Sequence, residues 1–200
     1  MSNTIEFEKA DPSFSGILKQ ITGRCLLPPP KVWHLFSFAK HTSSMIGEIA
    51  EVGVFRGGGA KVICSGSPNK TLHLFDTFEG MPETDKKLDI HKKGDFSATS
   101  LESVKKFLNG HKVVFHKGLF PATAKGVNGQ FCFVHVDVDI HSSTKAACEF
   151  FYPKMTNGGI MLFDDYGARS CPGAKKAVDD YFSDKGQVIM LATGQALKII

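Results

Sequence analysis

The chain lacks several features that would settle its class at once. No run of apolar residues reaches membrane-spanning length and no signal-peptide pattern is present, so no membrane partner and no secretion are expected. The five cysteines, Cys25, Cys64, Cys132, Cys148 and Cys171, are odd in number and never form a C-x-x-C pair. That argues against a disulfide framework or a structural zinc site and points to a reducing, cytoplasmic setting. Charge of one sign is scarce as well: the formal net charge is +4, and basic residues gather only in small clusters such as Lys86, Lys87, Lys92 and Lys93. We read that cluster as a solvated loop and expect no nucleic-acid partner. Two phosphate-binding signatures are also missing. Counted from Gly57 and Gly59, the third glycine of G-x-G-x-x-G falls on Val62, and no Gly-Lys-Ser/Thr follows to make a Walker turn.

What is present centres on Phe131 to Tyr166. Two short apolar runs, Phe131 to Val138 and Gly159 to Phe163, each end in a pair of aspartates. Apolar runs of that length, separated by a helix-like segment, read as buried parallel strands. Ligands of open α/β sheets bind outside the carboxyl ends of the strands, so Asp137, Asp139, Asp164 and Asp165 gather at one rim. Carboxylates crowded there repel unless a cation or a shared proton holds them, and a divalent metal is the simplest answer. Residues two apart on a strand share a face, which predicts that His135, Asp137 and Asp139 point the same way.

The 200 residues fit one domain, long enough to bury roughly 70% of the unfolded surface. The stretch to Gln20 is polar, patternless and expected to be partly disordered. Pro28-Pro29-Pro30 opens a helix over Lys31 to Ser43, which either packs on the sheet or presents Trp33 and Phe36 to a substrate entrance or a subunit interface. From Ile46 a short strand feeds the turn Glu51-x-Gly53-x-x-x-Gly57 and a helix, where glycines let the backbone approach a ligand and the helix start offers free N–H groups. The next strand ends at Asp76, placed to accept both hydroxyls of a ribose. A long charged loop from Phe78 to Phe96 reads as a lid or binding loop. Thr99 with Glu102 reads as a capping box for a helix to Asn109, and Lys112 to His116 as a strand. Ser142, Ser143 and Thr144 are expected to cap a helix that Asn157-Gly158-Gly159 ends. Pro172 opens another helix, and Val188 to Ala192 with Ala196 to Ile200 form a closing hairpin.

Five ordered motifs carry a resemblance: Glu51-Val-Gly-Val-Phe-Arg-Gly, Phe75-Asp-Thr-Phe-Glu-Gly-Met-Pro, Lys117-Gly-Leu-Phe, Val136-Asp-Val-Asp-Ile-His-Ser-Ser-Thr, and Phe163-Asp-Asp-Tyr-Gly with Cys171-Pro-Gly-Ala-Lys-Lys-Ala-Val. Together, over roughly Ile46 to Phe182, the chain resembles the macrocin O-methyltransferases, metal-dependent sugar O-methyltransferases of antibiotic tailoring. The resemblance implies an α/β fold: a Rossmann-like class I methyltransferase with a seven-stranded, mostly parallel sheet, a C-terminal antiparallel hairpin and helices on both faces. Residues 46–200 would form that domain, and residues 1–45 a helical lid or interface segment that is short for the family. It also implies S-adenosylmethionine as cofactor, bound by Glu51, Gly53, Val54, Phe55, Arg56 and Gly57, by Asp76 and Thr77 at the ribose, by Gly118 and Phe120 at the adenine, and by Asp137.

By the same resemblance, Asp137, Asp164 and Asp165 are magnesium ligands and Asp139 is the general base. The family carries tyrosine where this chain has His141, which makes His141 a second candidate base. Related catechol methyltransferases place a lysine three residues after the first metal aspartate, and Ile140 stands there instead. The expected partner is a small hydroxylated acceptor, and a homo-oligomer is allowed. Two other readings stand beside this one. The D-x-D pair also marks metal-dependent nucleotide-sugar glycosyltransferases, although that leaves Glu51-x-Gly53 and Asp164-Asp165 without a role. A non-catalytic relative that binds cofactor without turnover is the second.

Overall fold

The computed structural model describes residues 7–200, and it departs from the sequence reading at its first helices. The stretch to Gln20 forms α1 (Phe7–Ala10) and α2 (Phe14–Gln20). Phe14 and Ile17 share a face of α2 by their spacing of three, and both are buried. The expected disorder therefore fails for residues 7–20, and residues 1–6 lie outside the described residues. Helix α3 (Pro29–Thr42) does open with prolines in its first turn, where no intrahelical N–H is lost. Trp33 packs against Phe7 and Phe14, and Phe36 is buried, so the packed-helix reading of α3 holds.

The chain then alternates. Strand β1 (Glu48–Val52) leads to α4 (Gly58–Gly66), β2 (Leu72–Asp76), α5 (Leu101–Phe107) and β3 (Val113–Lys117). Strand β4 (Phe131–Val136) leads to α6 (His141–Phe151), β5 (Met155–Phe163) and α7 (Pro172–Phe182), and the hairpin β6 (Ile189–Met190) with β7 (Ala196–Ile199) closes the fold. The sheet order is β3-β2-β1-β4-β5-β7-β6. The first five strands run parallel, while β7 is antiparallel to β5 and β6 to β7. The seven-stranded, mostly parallel sheet with its antiparallel hairpin is the architecture the resemblance implies.

Both faces of the sheet are covered. One packs against α2 to α5 through Ile49, Leu72, Leu74 and Phe133, and the other against α6 and α7 through Phe75, Phe131, Val134 and Phe163. Truncating a fully buried ring such as Phe75 or Phe163 to alanine should cost about 3–5 kcal/mol, because the removed apolar surface leaves a cavity that collapses only in part.

Register sets the site. Val52 pairs with Phe75 on one side and Val136 on the other, and Val136 pairs with Phe163. The residues that follow, Gly53, Asp76, Asp137 and Asp164, therefore emerge at one rim, beside the point between β1 and β4 where the strand order reverses.

Three local expectations need correction. The cap of α5 is Ser100, whose hydroxyl accepts from Ser103 N at 3.2 Å, because the Thr99 hydroxyl donates instead to the Phe55 carbonyl. The hydroxyl cluster does not cap α6. Ile140 occupies the cap position without a side-chain acceptor, Thr144 donates back to Ile140 O, and Asp89 of the long loop takes the His141 N–H at 2.8 Å. Asn157-Gly158-Gly159 lies within β5, where Gly158 has φ +78° and the pairing with β4 shifts register, so the irregularity sits in the strand rather than before it.

Candidate active site

The glycine-rich turn is held by contacts that leave no room for side chains. A Cβ on Gly53, at φ +86°, would lie 1.7 Å from the Asp137 carbonyl, so the turn passes directly against the end of β4. A Cβ on Gly59 would lie 2.3 Å from Glu51 Oε1, and the bare glycine leaves space for that carboxylate. Asp76 braces the turn from β2. Its Oδ2 accepts from Val54 N at 2.6 Å and Phe55 N at 2.9 Å, and its Oδ1 from Phe78 N at 2.6 Å. Arg56 reaches away, donating to Ala98 O at 2.7 Å and Gly23 O at 3.2 Å.

The aspartates converge on the other side of the same rim. Oxygens of Asp137, Asp164 and Asp165 lie within 4.8 Å of one another. Burial and the charges of Asp164 and Asp165 raise the Asp137 carboxyl well above the ordinary range. Burial, together with Asp139 and Asp164, pushes Asp165 up to about 8. Asp164 behaves oppositely: burial works against its charge, but His135 and Lys31 outweigh it and hold the carboxyl below its usual value. Lys31, from α3, donates to Asp164 Oδ2 at 2.6 Å and to Asp164 O at 2.9 Å, and Gln195 Nε2 donates to Asp164 Oδ1 at 2.9 Å. An ammonium therefore does stand in the cluster, although Ile140 occupies the place where the catechol relatives carry it.

Beneath the rim lies a buried pair. His135 Nδ1 is 3.0 Å from Glu51 Oε1, and its Nε2 is 3.8 Å from Asp164 Oδ1, too far for a hydrogen bond. Burial opposes its protonation, but these carboxylates prevail and push the imidazole up to about 10. His135 Nε2 and Glu51 Oε2 are both buried without a hydrogen-bond partner in the protein. Such atoms are rare and point to a missing polar partner. His135 does not share a face with Asp139, because β4 ends at Val136 and alternation stops there. Asp139 sits at φ +60°, and its N–H is held by Asp165 Oδ2 at 2.9 Å. Its Oδ1 meets Cys171 Sγ at 3.4 Å and His91 Nε2 at 3.6 Å.

One cavity of about 330 Å³ joins the two sides. It is lined by Glu51, Gly53, Val54 and Phe55 of the turn, by Asp76 and Thr77, by Gly118 and Phe120, and by Asp137, Asp139, Asp164 and Asp165. Arg56, Gly57 and His141 are predicted site residues that stand outside this lining. Lys31, Gln195, His91 and Cys171 were not singled out from the sequence as parts of the site. A lysine, a glutamine and a histidine far away in the chain carry no local motif, and Cys171 entered only as one of five unpaired cysteines and as part of the motif at the start of α7.

A protein-family profile described as Macrocin-O-methyltransferase (TylF) matches residues 39–190, most of the chain. The chain belongs to this family. It is 30% identical over 153 residues to the 8-demethyl-8-(2,3-dimethoxy-alpha-L-rhamnosyl)-tetracenomycin-C 4'-O-methyltransferase of Streptomyces olivaceus, covering 68% of this chain and 58% of that one. It is 29% identical over 154 residues to the demethyldecarbamoylnovobiocin O-methyltransferase of Streptomyces niveus, with the same coverage of 68% and 58%. The chain thus spans 58% of the length of these two relatives. Among solved structures, the O-methyltransferase NovP superposes with a TM-score of 0.75 at 24% identity, covering 88% of this chain and 81% of that one, a likeness of fold. No helix among the described residues is long and apolar enough to cross a membrane.

Proposed function

We propose that this member of the TylF family is an S-adenosylmethionine- and magnesium-dependent O-methyltransferase acting on a hydroxyl of a sugar or glycoside-like natural product. The observation that carries the reading is one cavity in which a glycine-rich turn with a buried, partnerless Glu51 Oε2 faces three converging carboxylates and Asp139. The donors fit both groups. A buried acceptor with no partner suits an ammonium such as that of the cofactor's methionine end. Three crowded carboxylates suit a hard divalent cation that prefers oxygen.

When bound, S-adenosylmethionine supplies an electrophilic methyl group to an attacking oxygen, and magnesium supplies Lewis-acid stabilisation of an ionised hydroxyl. The residues do the rest. Glu51 and the turn from Gly53 to Phe55 orient the cofactor's amino-acid end. Asp76, with three backbone N–H groups on its two oxygens, has one lone pair on Oδ1 left for a ribose hydroxyl, and Gly118 with Phe120 lines the place for the adenine. Asp137, Asp164 and Asp165 hold the cation, with Lys31 and Gln195 keeping Asp164 in position. Asp139 receives the hydroxyl proton on Oδ2, since its Oδ1 is engaged by Cys171. We assign the base to Asp139 rather than His141 because Asp139 lines the cavity and His141 does not. Residues 7–45 serve as a wall of the cavity, through Arg24 to Pro28 and, at Asp164, through Lys31.

The deciding experiment is methyl transfer from labelled S-adenosylmethionine to a panel of glycosides, free sugars and catechols, with magnesium or with excess chelator. Label should pass to a glycoside only with magnesium. Full turnover in chelator would remove the metal assignment. Tight binding of a nucleotide sugar with none of S-adenosylmethionine would favour the glycosyltransferase, and cofactor binding without turnover on any acceptor would favour the non-catalytic relative.

A further inference from the structure

Next to the three-aspartate cluster, three chemically different side chains from separate segments converge. His91 comes from the long loop after β2, Asp139 follows β4, and Cys171 precedes α7. Cys171 Sγ lies 3.4 Å and His91 Nε2 3.6 Å from the same oxygen, Asp139 Oδ1, and all three donor atoms fall within 4.8 Å of one another. The imidazole is oriented from behind, because its Nδ1 lies 3.2 Å from Asp95 Oδ2, an oxygen that also accepts from Lys92 N at 3.0 Å. Nε2 is thereby aimed at Asp139 Oδ1 across 3.6 Å, and the Cys171 Sγ stands on the same oxygen, so the three donors face one common point.

The geometry points to a second metal site of different chemistry, in which His91, Asp139 and Cys171 bind a borderline-soft divalent cation such as zinc. A tetrahedral centre with zinc bonds of about 2.0–2.3 Å sets its donors roughly 3.3–3.8 Å apart, and both distances to Asp139 Oδ1 already lie in that range. A carboxylate behind a ligating histidine is the usual support for such a ligand. Nitrogen and sulfur donors select against magnesium, whose preference is for oxygen, so the two neighbouring sites take different ions. On binding, the Cys171 thiol releases its proton to solvent, and the imidazole, carboxylate and thiolate become ligands. Burial of the thiol makes that release unfavourable without the metal. Occupation at Oδ1 would lower the basicity of Oδ2, weakening Asp139 in proton transfer, and tie the loop that carries His91 to the cavity rim.

The site itself does not depend on the proposed methyl transfer; only its effect on turnover does. The test is cobalt titration of the full chain in excess magnesium, following the near-ultraviolet sulfur-to-cobalt charge-transfer band. One equivalent of cobalt should raise the band. Cys171→Ser should abolish it, His91→Gln should weaken cobalt affinity at least tenfold, and Cys25→Ser, which alters the cysteine that lines the cavity, should keep it. No band, or a band that survives Cys171→Ser or vanishes with Cys25→Ser, overturns the site. Should a variant fail to fold, histidine NMR of the unaltered protein decides: zinc must shift the His91 ring resonances, and unmoved ones refute the proposal. If the band behaves as expected but zinc does not inhibit methyl transfer, the site stands and the role of Asp139 as base is what fails.

Discussion

The two sides of the cavity handle negative charge in opposite ways. On the side of the glycine-rich turn, Asp76 is surrounded by donors fixed in the backbone: the N–H groups of Val54, Phe55 and Phe78 all point at it. On the other side, Asp137 and Asp165 face further carboxylates, and burial drives both toward protonation. Only Asp164 has strong counter-charge, from Lys31 and His135. Around Asp76 the first side is complete as folded, because its dipoles are preorganised, and Glu51 Oε2 alone is left there without a partner. The second is electrostatically unfinished, as expected of a place reserved for a cation. On the proposed reading, a carboxylate fixed by backbone donors suits a constant cofactor, and crowded carboxylates suit an ion.

The comparison is most exposed at Asp139, on the unfinished side. Asp139→Asn should lower turnover on the order of 10²- to 10⁴-fold while cofactor affinity stays within a few-fold, read as kcat beside calorimetric Kd. A loss confined to cofactor binding would place Asp139 with the turn instead. Removing Asp76 tests the finished side. Asp76→Ala leaves three backbone N–H groups without their carboxylate and should destabilise the fold by about 2–4 kcal/mol in urea, as well as weakening cofactor binding. Unchanged stability would mean that the turn does not rely on that brace.

Lys31→Met takes the counter-charge from Asp164. It should cost the metal-free protein about 2–3 kcal/mol, less when magnesium is saturating, since the pair is mostly buried. An equal cost in both states would deny any link between Lys31 and the cation.

A smaller and continuous effect follows from pH. The raised carboxyls of Asp137 and Asp165 keep protons in the folded state that the unfolded chain has released above about pH 4. Folded protein therefore binds more protons between that value and the folded value, about 8 for Asp165, so stability falls as pH rises through this window. The Tm of metal-free protein should decline from pH 5 to 8, and magnesium should flatten the decline because it replaces those protons. A Tm that rises over the same range without metal would contradict the crowding argument.

Least affected should be the surface pair that serves as reference for both sides. Hydrogen bonds from Lys40 and Ser13 hold the Asp11 carboxyl at about 2, so its contribution is present above the unfolded value near 4 and fades as pH falls toward 2. Screened by solvent, Asp11→Asn should cost about 0.5–1 kcal/mol at pH 7 and nearly nothing at pH 2.

The sequence disclosed those parts of the molecule whose signals are local. Apolar runs of strand length, the spacing Glu51-x-Gly53, and paired aspartates after two strands are all visible within a few residues, and the register brings them to one rim. Alternation misplaced Asp139 because it assumes that a strand continues, whereas β4 stops at Val136 and the chain turns through φ +60°. The capping box was one residue early since Thr99 has a better use at Phe55. Helix α2 escaped notice because its few apolar residues do not look like a face until α3 and α4 supply something to pack against. Lys31, His91 and Gln195 could not be assigned at all, as nothing near them in the chain predicts where the fold will take them.

The contacts of Asp164 span most of the chain: Lys31 arrives from α3, near one end of the described residues, and Gln195 from the final hairpin. The brace of Asp76 instead joins β1 and β2, neighbours in sequence as well as in space. Non-local contacts wait on the closure of long loops, so the turn should form early in folding and the carboxylate cluster last. A nascent or clipped chain lacking the hairpin would then present a nearly finished turn, the proposed nucleoside cradle, beside an unassembled carboxylate cluster. Capture of the ion would act as a check on completion, stabilising only chains in which the hairpin, α3 and β5 have all come together.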